Sequence, residues 1–104
     1  MEFEISNVKQ GVASVARALG YVIIDTKPNG EHNLVRKLLG TTYPRFHIYL
    51  KVMGERYIFN LHLDQKKPSY EGSHAHSGEY EGPIVMDEAD RVKEIIASSQ
   101  QIAT

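Results

Sequence analysis

The sequence predicts an α+β domain in two layers. An antiparallel sheet of three to four strands, built on a central hairpin at 45–63, packs against an N-terminal and a C-terminal helix. Three observations carry this reading. Apolar residues recur at steps of three and four near both ends of the chain, and they alternate with polar residues in the middle. The two alternating runs are also separated by a short glycine-containing turn. A length of 104 residues suits one domain, taken here as 1–104 with a long loop at 64–83. Hydrophobic residues at 41% and charged residues at 24% are ordinary globular usage and argue against a disordered chain.

Ile5, Val8, Val12, Val15 and Leu19 fall on one helical face, with Ser6 or Asn7 as the cap. Asn7 and Gln10 have the spacing of a capping box. Gly20 stands where a left-handed residue commonly ends a helix. The β-branched run Tyr21–Ile24 reads as a buried strand, and Lys27-Pro28-Asn29-Gly30 as a β-turn. Residues 32–39 suit a short helix or a returning strand, and the strand is favoured for their first part. In RFHIYLKV and RYIFNLHL, a two-residue Gly54-Glu55 loop pairs position i with 109 − i. One face is then wholly apolar or aromatic, with Phe46 opposite Leu63, Ile48 opposite Leu61, Leu50 opposite Phe59 and Val52 opposite Tyr57. The other face sets His47 opposite His62, Tyr49 opposite Asn60 and Lys51 opposite Ile58. Val85, Ala89, Val92 and Ile96 define a second amphipathic helix over roughly 86–99, with Asp87, Glu88 and Asp90 in its first turn.

Twelve Lys+Arg against thirteen Asp+Glu exclude gross basicity as an argument for nucleic acid. The charge is unevenly spread: residues 1–63 carry eight basic and five acidic side chains, and residues 64–104 four and eight. With no cysteine, disulfides, thiolate-bound zinc, iron–sulfur clusters and thiol nucleophiles are ruled out. No apolar run is long enough to span a bilayer, and MEFEISN has neither a basic nor an apolar leader region. A cytoplasmic protein without a membrane partner is therefore expected.

Residues 64–83, DQKKPSYEGSHAHSGEYEGP, form an aperiodic stretch that is long for so small a domain. His62 and Asp64 stand two apart on a strand and leave the same face. His47 lies across from His62 at about 5 Å between Cβ atoms. His74-x-His76 can fold back over them. His62, Asp64, His74 and His76, with His47 adjacent, would then form a nitrogen and oxygen site for a divalent Zn, Mn, Ni or Fe ion. Arg45, Tyr49, Lys51, Tyr70, Glu79 and Tyr80 are the candidate substrate-binding residues around it. The plain alternative is a solvated cross-strand histidine pair beside a surface loop.

Two further readings use the same polar face. Arg45, Lys51, Arg56, Lys66 and Lys67 around paired histidines could handle a phosphodiester, with Tyr49, Tyr70 and Tyr80 stacking on single-stranded bases. Glu71, Glu79 and Glu81 would repel that polyanion, so nucleic acid is not favoured. Alternatively the face is an assembly surface, with Tyr49, Ile58, Tyr70 and Tyr80 as amphipathic anchors, and a homodimer is expected. The sequence contains no Gly-x-Gly-x-x-Gly, Walker, Gly-x-Ser-x-Gly or His-Glu-x-x-His motif, so no established catalytic motif is present.

The stretches YPRFHIYLK at 43–51 and FNLHLDQKKPSYEGSHAHSGEYEGP at 59–83 resemble a group of small uncharacterised prokaryotic proteins. That group shares blocks of the form PRFHxY, NLHLDxKxPSY and AHSGEYxG. The resemblance covers about a third of the chain, implies a free-standing one-domain cytoplasmic protein, and assigns no activity to any residue.

Overall fold

The computed structural model describes residues 1–65, 78–79 and 82–102. Its elements are β1 (Glu2–Ile5), α1 (Val12–Leu19), β2 (Val22–Thr26), β3 (His32–Lys37), β4 (Arg45–Met53) and β5 (Arg56–Asp64). The two-residue β6 (Gly78–Glu79) and α2 (Pro83–Ile102) follow. The architecture is α+β: one open antiparallel sheet, ordered β1-β5-β4-β3-β2, with two helices. β1 and β6 share the outer edge of β5, β1 along Tyr57–Asn60 and β6 along Leu63 and Asp64. The sheet is thus larger than the three to four strands expected.

The hairpin is the best-read element. Every β4–β5 pair, from Arg45 opposite Asp64 to Met53 opposite Arg56, obeys the 109 − i register. Gly54 has φ 64, the positive value that the first central position of a two-residue hairpin turn demands. The apolar side of this hairpin meets both helices. Ile48, Leu50, Phe59 and Leu61 join Val15 and Leu19 of α1 and Val85, Val92 and Ile96 of α2 in one buried cluster. The Lys27–Gly30 turn closes with a 2.9 Å bond from the Gly30 N–H to the Lys27 carbonyl, and the first part of 32–39 is the strand β3.

The first helix is shorter than its periodicity suggests. Glu2–Ile5 is a strand, and Phe3 stacks on Phe59 across the β1–β5 pair with ring centroids 5.0 Å apart. Asn7 takes φ 61, a left-handed value that interrupts a helix and that Asn tolerates. The Asn7–Gln10 capping box therefore does not form, and Gly11 precedes the helix without a side-chain cap. Ile5 and Val8 still pack with the core, one from a strand and one from the segment that follows it, which is why their spacing imitated a helical stripe. The other end agrees with expectation. Gly20 is left-handed at φ 82, and N–H groups of Gly20 and Tyr21 donate to Arg17 and Ala16 carbonyls in a Schellman arrangement.

The buried strand expected at 21–24 is an exposed edge. All five residues of β2 are exposed, Val22 at 64% and Ile24 at 51%, and only the preceding Tyr21 is buried. The position of β2 at the edge of the sheet overrides the apolar composition. α2 starts at Pro83, where a missing N–H does no harm, and runs past the expected 86–99. Glu88 consequently lies inside the helix, buried at 3%, instead of in an exposed first turn.

Glu88 anchors α2 to the sheet and to α1. Its Oε1 accepts from Arg36 Nη2 at 2.9 Å and Arg91 Nε at 2.8 Å. Its Oε2 accepts from Tyr21 Oη at 2.6 Å, Arg91 Nη2 at 2.9 Å and Arg36 Nε at 3.2 Å. Arg91 Nη2 also donates to the Leu19 carbonyl at 2.7 Å. Burial pushes the Glu88 pKa up, but the hydrogen bonds from Arg91, Arg36 and Tyr21 outweigh it and hold it below its ordinary 4.5. A depressed value stabilises the fold fully above pH 4.5, and the contribution is lost as pH falls toward the folded value. Glu88→Gln should therefore cost about 3 kcal/mol at neutral pH. In urea melts the gap to wild type should close as pH drops below 4.5; a gap independent of pH would show that the ionised carboxylate is not what matters.

Candidate metal centre

Strand alternation and the hairpin register decide which side chains meet opposite the helices. Arg45, His47, Tyr49 and Lys51 leave β4 on that face, and Ile58, Asn60, His62 and Asp64 leave β5 on it. His47 and His62 are directly opposite, with ring centroids 4.8 Å apart. Asp64, two residues beyond His62 and opposite Arg45, sits between the two imidazoles. Its Oδ1 is 2.9 Å from His62 Nε2, and its Oδ2 is 3.3 Å from His47 Nδ1 and 3.2 Å from Arg45 Nε.

Burial raises the Asp64 pKa, yet hydrogen bonds from His47, His62 and Arg45, together with the nearby His62 charge, hold the carboxyl well below the usual carboxylate range. An ionised carboxylate only accepts, so both facing imidazole nitrogens donate. Exchanging those two protons for one cation would leave two nitrogen lone pairs beside the carboxylate oxygens. The ligating atoms of His47, His62 and Asp64 all lie within 4.8 Å of one another, close enough to hold a metal ion. The site is enclosed: His47 is 8% and His62 4% exposed. His47 Nε2 is buried with no hydrogen-bond partner among the described residues, in contrast to the usual satisfaction of buried polar atoms.

Tyr49 is the wall of the site. Its ring lies 4.4 Å from that of His47 and 5.5 Å from that of His62, centroid to centroid. Beyond it opens a cavity of about 420 Å³ lined by Tyr49, Lys51, Ile58, Asn60, Glu2 and Glu31. Lys51 belongs to this cavity, one step along β4 from Tyr49 and away from the histidines. Arg45 is held from the other side, its guanidinium 4.7 Å from the centre of the Tyr43 ring.

Of the expected site residues, the fold brings together His47, His62, Asp64, Arg45 and Tyr49. His74, His76, Tyr70 and Tyr80 lie outside the described residues, as do Lys66, Lys67, Glu71 and Glu81. Glu79 has its backbone opposite Leu63 in β6, and its side chain is outside the described part. Sequence reasoning missed Glu2 and Glu31 in the cavity wall; the alternation of EFEI at 2–5 was the available signal for Glu2. Of the cations around the histidines, Arg45 meets Asp64 through its Nε alone, and Arg56 is engaged with Glu4 through two 3.0 Å bonds.

No protein-family model matches the chain, and no curated protein or solved structure matches it either. The site must be read from its own chemistry.

Removing the Asp64 charge leaves two imidazole donors and a guanidinium facing a neutral amide. Asp64→Asn should therefore lower the stability of metal-free protein by about 2 kcal/mol at neutral pH. Equal denaturant midpoints for variant and wild type would mean that these three bonds contribute nothing net.

Proposed function

We propose that the protein binds a divalent transition-metal ion, with His47, His62 and Asp64 as its ligands. The observation that carries this reading is the convergence of two imidazoles and an ionised carboxylate, on adjacent strands, within 4.8 Å. Two nitrogens and one oxygen, without thiolate, suit Zn²⁺, Mn²⁺, Ni²⁺ or Fe²⁺ more than soft copper(I) or oxygen-only calcium. Three protein donors leave positions for other ligands, and His74 and His76 are the candidates in the chain for some of them. Tyr49, packed on both rings, fixes their orientation much as partners behind the ligands do in known metal sites.

Tag-free protein reconstituted with each ion and passed through a desalting column should retain close to one equivalent of at least one of them. His62→Ala and Asp64→Asn should each lower its affinity by roughly tenfold or more. Retention below about a tenth of an equivalent with all four ions would remove the metal reading.

A second reading, assembly of two copies, is favoured by the exposed aliphatic edge β2. Val22 and Ile24 stand beside Val35 in a shallow hollow of about 310 Å³, and no strand pairs with the outer side of β2 among the described residues. Sedimentation equilibrium should then show a dimer that Ile24→Lys converts to a monomer; a wild-type monomer at the highest soluble concentration excludes it.

A further inference from the structure

The cation that touches Asp64 has a consequence for the ligand, resting on the metal reading above. Arg45 Nε donates to Asp64 Oδ2 at 3.2 Å, and its side chain is only 18% exposed. With Asp64 ionised, Arg45 and the carboxylate form a neutral pair. Among the described residues, a divalent ion placed among His47, His62 and Asp64 leaves two net positive charges in a largely buried site, because the imidazoles bring none. Uncompensated charge in such surroundings is strongly unfavourable, and an anion is the direct remedy.

The geometry points to an oxyanion bound jointly by the metal ion and Arg45: we propose that the centre takes a phosphate- or carboxylate-bearing ligand. Four features fit that chemistry. A guanidinium carries five N–H donors in a planar fork suited to two oxygens at once, and only Nε has a hydrogen-bond acceptor among the described residues. The Tyr43 ring under the guanidinium restrains it before any ligand arrives. Lys37, directly opposite Arg45 on β3 and exposed, adds a second cation at the same end of the sheet face. Three protein ligands leave the ion coordination positions at which an oxygen of the same anion can bind. The two oxygen contacts are therefore complementary: the metal supplies an electrophilic position, and Arg45 supplies directional hydrogen bonds. The Tyr49 cavity lies at the opposite end of the histidine pair, with Glu2 and Glu31 on its rim, and is not the anion's place.

Linkage makes this testable without knowing the physiological ligand. Mn²⁺ affinity is measured by titration calorimetry on full-length protein in chloride, inorganic phosphate and acetate, with metal content checked independently. Wild type should bind Mn²⁺ about tenfold more tightly with one of the oxyanions than in chloride, and that oxyanion should bind only when Mn²⁺ is present. The arm that produces the effect separates phosphate from carboxylate. Arg45→Met should abolish the enhancement while retaining Mn²⁺ binding in chloride, and Arg45→Lys should recover part of it. An enhancement equal in wild type and both variants would overturn the proposal, as would metal-loaded wild type with no response to either oxyanion. Absence of Mn²⁺ binding in every arm, with no other ion retained, would instead defeat the metal reading and this inference with it.

Discussion

The register of the β4–β5 hairpin is the constraint on which the rest of the molecule depends. Because side chains alternate strictly along a strand, a slip of one residue would send Ile48, Leu50, Phe59 and Leu61 to the opposite face. All four are fully buried, so the hydrophobic cost of a slip is very large compared with the stability of a small domain. That same register places His47 opposite His62 and Arg45 opposite Asp64. The site is therefore positioned by the core behind it, through a sheet one residue thick. Its polar residues need no recognition of one another to meet.

This division explains which parts of the structure were legible from the chain. The hairpin was read in full because alternation, aromatic content and Gly54 all pointed to one pairing. The histidine pair and Asp64 followed from it without further assumption. The second helix face, Val85, Ala89, Val92 and Ile96, was read for the same reason: a single periodicity with no competing signal. β1 was not, because Ile5 and Val8 extend the stripe of α1 by coincidence of spacing. Only tertiary pairing with β5, and the left-handed Asn7, separate the strand from the helix. β2 was recognised as a strand but misplaced in depth, since an aliphatic run does not say whether its sheet continues past it. Arg45's bond to Asp64 was implicit in the register, whereas Glu88's role needed the long-range meeting of α2 with β3 and Tyr21.

Among the described residues, the carboxylates of Glu88 and Asp64 each accept hydrogen bonds from three side chains, one on each side of the sheet, and the two sites differ. Glu88 accepts five hydrogen bonds from three side chains, several of them between 2.6 and 2.9 Å. Its two arginines tie β3, α1 and α2 together, and the buried carboxylate itself is fully engaged with them and with Tyr21. Breaking such a saturated group is costly because its partners have no replacement. It is a structural clamp.

Asp64 accepts three bonds, at 2.9, 3.2 and 3.3 Å, from His62, Arg45 and His47. Arg45 has unused donors, and His47 holds a buried nitrogen without a partner among the described residues. A fold selected only for stability gains more from apolar residues at these positions than from an incompletely satisfied polar group. An under-saturated carboxylate between two imidazoles, braced by Tyr49 and by the longest pairing in the sheet, is what a site held ready for a cation requires. The neighbouring guanidinium extends that logic, because it makes the binding of a bare divalent ion electrostatically incomplete. On the proposed metal reading, the chemistry of the site is thus directed at a pair of ions of opposite charge more than at a metal alone.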